Sequence, residues 1–340
     1  MELTQAQNHH VSQRETSDPS RRWRDIALLG GLFVLVLGGL AGLAAATGWE
    51  KTLEGLRRVT ALQMTILLAL SLVNYLFRGL RWRLFSQCLG LPTELLQDLR
   101  HFLGGFAMSV TPGRVGELVR MRWIRRETGW SFERTAPLVL VDRASDLAAM
   151  ALLLAVALAF STTGIVGAVP IVAIALAMAF VVTRPSLLRG LATLGYKTTG
   201  IAAKLFARVR RAAVSLDAFS SFAVMGGACL LGLVGWGAEA VAFWLLLDWM
   251  GAEIGLGAAA AIFIFATLAG GLTGAPGGVG GAEAAMVVLL GLQGVPPEIS
   301  VPATLIIRVT TLWFAIGIGL LVFPFAERAS KRKKDGLENG

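Results

Sequence analysis

Very little of this 340-residue chain is charged: Asp, Glu, Lys and Arg together make up 16% of it. A soluble domain normally carries about a quarter, because its surface has to be solvated. The scarcity excludes an ordinary soluble enzyme. Cysteine is nearly absent as well. Cys88 and Cys229 lie beside or within apolar stretches, which leaves no disulfide framework. Of the three histidines, His9 and His10 fall in a polar tail and His101 in a predicted loop. No two share a helical face within a membrane, so no metal site or other cofactor is expected. Trp49-Glu50-Lys51, after the first apolar run, offers no small-residue cleavage pattern, which argues against a removed signal peptide. Between Asp248 and Ser300 there is no Lys or Arg at all.

What is present is apolar. Hydrophobic residues are 55% of the chain and the mean hydropathy is +0.67. The formal charge is +9, with basic residues in blocks between apolar runs. That distribution fixes cytoplasmic loops and meets anionic headgroups; nucleic acid is not an expected partner. The fold class is all-α: a polytopic membrane helix bundle, set in a bacterial-type inner membrane.

Residues 1–25 read as a disordered cytoplasmic tail ending in Arg21, Arg22 and Arg24. A domain over 26–326 follows, then a basic cytoplasmic tail over 327–340. Full spans are predicted at Ile26 to Thr47, Ala61 to Leu80, Ala136 to Ser161, Ile165 to Val182, Ser221 to Leu247 and Ser300 to Phe323. Arg78, Arg81, Trp82 and Arg83 close the second of these and read as a cytoplasmic interface anchor. Residues 184–219 are basic and amphipathic, suited to the membrane surface. Two shorter segments, His101 to Arg122 and Ala258 to Leu292, do not behave as spans. Basic residues flank the first on both sides, so it should enter and return, a re-entrant hairpin from the cytoplasm; the second should enter from outside.

The two hairpins share a sequence at their breaks. One reads Pro112-Gly113-Arg114-Val115-Gly116-Glu117, the other Pro276-Gly277-Gly278-Val279-Gly280-Gly281-Ala282-Glu283. A Gly-Gly pair precedes each, Gly104-Gly105 and Gly270-Gly271. An arginine follows at matching distance, 31 residues from Pro112 to Arg143 and 32 from Pro276 to Arg308. Such breaks in corresponding positions of two halves point to a transport site in an inverted repeat. They free backbone groups at depth, and the half-helix that follows presents its N-terminus to an anion. The bland alternative is that Gly-Pro pairs merely kink packed helices.

Ionisable residues inside spans cost about 2.5–3.5 kcal/mol at a helix centre, so they are rare and paired. Here they are Glu117, Asp142, Arg143, Asp146, Glu239, Glu283 and Arg308. Asp142 and Asp146 share a helix face, and Arg143 can pair with Asp146 at a three-residue spacing. Interhelical salt bridges would account for that group; Glu239 and Arg308, deeper in their spans, suit a ligand or ion role better. The candidate translocation residues are thus Pro112, Gly113, Arg114, Gly116, Glu117, Asp142, Arg143, Asp146, Glu239, Pro276, Gly277, Gly278, Gly280, Glu283 and Arg308.

With Arg78-Gly79-Leu80-Arg81-Trp82-Arg83, Thr111 through Glu117, Asp142-Arg143-Ala144-Ser145-Asp146-Leu147, Ala275 through Gly280 with Glu283, and Arg308, the chain resembles the lysylphosphatidylglycerol synthase transmembrane-region (flippase-like) family. The likeness covers nearly everything beyond the N-terminal tail. It implies a lipid flippase module, which in two-domain members is joined to a soluble aminoacyl-transfer domain. Residues 329–340 are too few for such a domain, so a stand-alone module without synthase activity is expected. Some stand-alone relatives look like companions of glycosyltransferase or hopanoid lipid pathways, which leaves the cargo open.

The expected function is movement of a phosphate-bearing or otherwise amphipathic lipid between leaflets, with no catalysis. The partners would be membrane lipids, anionic ones above all, and a lipid- or glycan-modifying enzyme. Two alternatives stand beside it: a membrane-embedded headgroup transferase, and a non-transporting scaffold for a lipid or glycolipid biosynthesis enzyme.

Overall fold

The computed structural model describes residues 57–109, 115–159, 168–183, 216–273 and 275–338, with isolated positions 50, 54, 187, 190 and 193. The N-terminal tail, the first expected span and most of the basic 184–219 stretch lie outside the described residues. So do Pro112, Gly113 and Arg114.

Among the described residues every regular element is helical. Helix α1, Ala61–Cys88, opens on a reciprocal cap. The Thr60 hydroxyl accepts from the Gln63 amide at 3.3 Å, while the Thr60 amide donates to Gln63 Oε1 at 2.8 Å. It ends just before Gly90, whose φ of 75° only glycine adopts readily. At 28 residues it is about 42 Å long, more than the roughly 30 Å of a hydrocarbon core. It therefore runs two turns past the expected end at Leu80. Arg78, Arg81, Trp82 and Arg83 sit inside the helix, not at its end.

The first hairpin is α2, Leu95–Gly104, extended by a tight turn at Gly105–Met108, and α3, Val115–Thr128. It begins six residues before the expected His101, and that histidine lies within α2, fully buried, not in a loop. Then come α4, Phe132–Ala159, and α5, Ala168–Thr183. Helix α6, Phe222–Trp249, is again 28 residues.

The second hairpin is α7, Leu256–Leu272, a turn at Pro276–Gly278, and α8, Gly281–Leu292. The last helix starts as α9, Pro297–Arg308, passes through a π-helical segment at Val309–Trp313, and continues as α10, Phe314–Glu338. It is helical well beyond the expected Phe323, through Lys331 to Lys333. Among the described residues three helices are long and apolar enough to cross a membrane: Ala61–Cys88, Phe222–Trp249 and Pro297–Lys333.

Helices α1 and α6 pack along each other at the centre. Small residues make that possible: a Cβ on Gly235 would lie 3.4 Å from the Asn74 carbonyl oxygen, and one on Gly232 would lie 3.1 Å from Arg81 Nη1. Each hairpin then has its own core. Phe102, Phe106 and Ile124 of the first bury against Tyr75, Trp82, Phe85 and Leu138. Ile262, Phe263 and Met286 of the second bury against Leu154, Phe243 and Ile307. Helix α10 crosses to the first hairpin, where Gly319 lets it touch the backbone at Phe106 and Ala107.

Candidate functional site

Two groups of charged residues inside this apolar bundle gather at the N-termini of the two half-helices that follow the breaks. Both α3 and α8 carry a carboxylate as their third residue, Glu117 and Glu283. In each case it pairs with the twelfth residue of the next long helix, Arg143 of α4 or Arg308 of α9. Arg143 Nε lies 3.3 Å from Glu117 Oε1; Arg308 Nε donates to Glu283 Oε1 at 2.6 Å.

The correspondence extends through the first twelve residues of both long helices. In α4 and α9 alike, the second residue is Glu (Glu133, Glu298) and the fourth a buried hydroxyl (Thr135, Ser300). The sixth is Pro (Pro137, Pro302). In both hairpins a glycine before the break meets the second residue of the half-helix after it. A Cβ on Gly116 would lie 2.6 Å from the Gly105 carbonyl, and one on Gly270 would lie 2.8 Å from Ala282 Cβ.

The surroundings of the two pairs differ. Around the first, Arg81 is 0% exposed and donates through Nη2 to Asp142 Oδ1 and to Asp146 Oδ1, both at 2.7 Å. Arg78 Nη2 donates to Asp146 Oδ2 at 2.8 Å, and Trp236 Nε1 to Asp146 Oδ1 at 3.0 Å. Arg143 completes the network with Asp142 Oδ2 at 2.9 Å and Asp146 Oδ2 at 3.4 Å. The three-residue pairing expected of Arg143 and Asp146 is present.

Beside the network sits Arg120, 4% exposed, with no carboxylate partner among the described residues. Its Nη2 donates to the Phe102 carbonyl at 2.9 Å, and its guanidinium lies 4.6 Å from the Phe102 ring centre and 5.3 Å from that of Trp82. Aromatic faces attract a cation, but they do not accept its remaining N–H groups. Gly105 makes room for it, since a Cβ there would collide with the Arg120 side chain.

Among the described residues the second pair, Arg308 with Glu283, shares its ion pair with no other charged group. Arg308 Nη2 also donates to the Gly277 carbonyl at 2.9 Å, and Glu283 Oε2 accepts from the Gly280 amide at 2.7 Å. The turn that supplies both groups needs its glycines. Gly277, Gly278 and Gly280 have φ of 65°, 66° and 87°, and a Cβ on Gly278 would press on the Gly270 backbone at 3.1 Å.

Glu239 of α6 stands between the two centres. It is 4% exposed, and its electrostatic neighbours are Arg78 and Asp146 of the first and Arg308 of the second. Arg78 and Glu239 are each the eighteenth residue of a 28-residue helix.

Of the expected site residues, Gly116, Glu117, Asp142, Arg143 and Asp146 come together at the first centre. Pro276, Gly277, Gly278, Gly280, Glu283 and Arg308 come together at the second, with Glu239 between. Arg78, Arg81, Arg120 and Trp236 are the participants that sequence reasoning did not assign to a site. Arg78 and Arg81 had a signal, two arginines four residues or fewer apart within one long apolar helix. Trp236 and Arg120 had none.

Buried charge at helix breaks, in a bundle with several apolar helices longer than a bilayer is thick, defines a multi-span helical membrane protein. The family model described as "Lysylphosphatidylglycerol synthase TM region" matches residues 27–319, and the chain belongs to that family. Two proteins of Methanothermobacter thermautotrophicus, each described as a UPF0104 membrane protein, are similar over 103 residues at 32% and 30% identity. Each match covers 30% of this chain and 30% or 31% of the relative. The chain thus spans about a third of the length of these curated relatives.

Proposed function

We propose that this protein moves an amphipathic lipid with a phosphate-bearing headgroup between the leaflets of an inner membrane, without catalysing a reaction on it. In this reading the chain forms six spans and two re-entrant hairpins in an inverted repeat, with both termini in the cytoplasm. The observation that carries it is the matched pair of centres: a half-helix N-terminus, a carboxylate at its third residue and an arginine at the twelfth residue of the next long helix, twice. Broken helices in corresponding positions of two halves are the usual pointer to a transport site between them.

The chemistry suits a phosphate. Helix N-termini attract anions, and guanidinium groups bind phosphate through paired N–H donors. Several buried donors at the first centre have no acceptor among the described residues, namely Arg81 Nη1, Arg120 Nε, Asn74 Nδ2 and Ser145 Oγ. Buried donors are costly to leave unmatched, and a phosphate oxygen is the acceptor that would match them. Glu117 and Glu283 hold the arginines in place between cargoes. The family, whose description names a lipid-modifying synthase, agrees with a lipid cargo.

The test is movement of headgroup-labelled phospholipids in proteoliposomes, followed with a membrane-impermeant quencher. Wild type should equilibrate the label across the bilayer and Arg308→Ala should not, at matched reconstitution. Equal rates in wild type, Arg308→Ala and protein-free vesicles would sink the reading.

A further inference from the structure

Glu239 is the one centre residue whose role the headgroup reading leaves open. Among the described residues it makes no hydrogen bond and has no cation within 4.0 Å, although 96% of it is buried, in the seventeenth-to-nineteenth-residue region of a helix long enough to span. A carboxylate there is stable in two ways: it keeps a proton, or it faces a free cation.

Among the described residues four helices pack most closely against α6. α1 brings Tyr75 and Arg78, α4 brings Asp146, α9 brings Arg308, and α7 brings no ionisable residue. The two arginines are the cations within reach, and both are engaged elsewhere: Arg78 on Asp146 at 2.8 Å and Arg308 on Glu283 at 2.6 Å. Tyr75, one helical turn before Arg78, donates its hydroxyl to the Thr311 carbonyl in the π segment and so is not available to Glu239.

Resting on the transport reading, we propose that Glu239 is a proton-binding site that couples lipid movement to a proton gradient. The exchange balances simply. When an arginine leaves its present carboxylate, Glu239 receives it and releases one proton; when the arginine returns, Glu239 takes one proton back. Because Arg78 belongs to the first centre and Arg308 to the second, the same carboxylate serves both halves. Its place within electrostatic reach of both Arg78 and Arg308 is what allows this.

The experiment uses the full chain in proteoliposomes with headgroup-labelled phospholipid, with and without an imposed pH gradient. For one proton per lipid, a gradient of one pH unit biases the steady-state distribution by up to about tenfold, and a protonophore removes the bias. In Glu239→Gln the ratio with and without gradient falls to about one. Lipid movement in wild type that ignores the gradient overturns the proton site and leaves lipid transport standing. No lipid movement in wild type overturns the transport reading, and this inference with it. If Glu239→Gln is inert, infrared spectroscopy decides: a protonated-carboxyl stretch that titrates in wild type and is missing from the variant supports the site. A spectrum unchanged by the substitution overturns it.

Discussion

The two break centres use the same parts and differ in redundancy. At the first, Arg143 faces three carboxylates, and Asp146 receives Arg78, Arg81, Arg143 and Trp236. At the second, Arg308 has one carboxylate and one carbonyl. Each ionic contact at the first centre is shared among several partners; at the second, deleting one member leaves the other with a backbone group alone. The first centre is therefore built to hold its shape, and the second to depend on a single ion pair.

The largest effect should come from the keystone of the crowded centre. Arg81→Ala takes away the fully buried cation that Asp142 and Asp146 share. It leaves Asp142 with Arg143, and Asp146 with Arg78, Arg143 and Trp236, and removing one partner of a buried ion pair costs about 3–5 kcal/mol. Thermal unfolding in detergent should show a large loss of stability; an unchanged midpoint would break the comparison at its root. Arg308→Ala should come next. Glu283 keeps the Gly280 amide, so the protein should fold and insert, while lipid movement falls by more than about tenfold, the equivalent of 1.4 kcal/mol in the barrier.

Glu117→Ala should be milder, a loss of a few fold, because Arg143 retains both aspartates. A loss equal to that of Arg308→Ala would show that the two centres are functionally equivalent despite their surroundings. The smallest effect lies at the flank of the first hairpin. Burial alone would raise the Glu127 carboxyl, but His101 at 3.1 Å, with Arg100 and Gln97, holds it below its ordinary value of 4.5. Its contribution is complete above that value and is lost as pH falls through the lowered one. Glu127→Gln should flatten the dependence of unfolding on acid below about pH 4.5, the ordinary carboxylate range.

Much of this was legible in local sequence. Apolar runs of the right length marked α1, α6 and the last helix, and Pro-Gly-x-Val-Gly marked both breaks, because glycine and proline punctuate a chain wherever it sits. The spacing to Arg143 and Arg308 pointed to a repeat before any helix end was known. The finer register, Glu at two, Ser or Thr at four, Pro at six and Arg at twelve, emerges only once the starts of α4 and α9 are fixed.

Arg78 and Arg81 were misread for a physical reason. Arginines beside a tryptophan at the end of an apolar run are the usual mark of an interface, and nothing nearby says that the helix continues. Asp142 and Asp146, more than sixty residues away, are what keep them inside. His101 was hidden in the same way. Its burial depends on Glu127 and on Trp123, whose ring lies 6.1 Å away.

The π segment at Val309–Trp313 bears on how the halves communicate. It directly follows Arg308, and its wider winding leaves backbone carbonyls for Tyr75 and for the Thr310 and Thr311 hydroxyls. Ahead of it the helix carries the arginine of the second centre; behind it the same helix presses through Gly319 on the first hairpin. One rod therefore ends in two workplaces, with a soft coupling between them. The arginine of the second centre and the seat of the first hairpin are thus carried by one continuous helix, joined through its most loosely wound stretch.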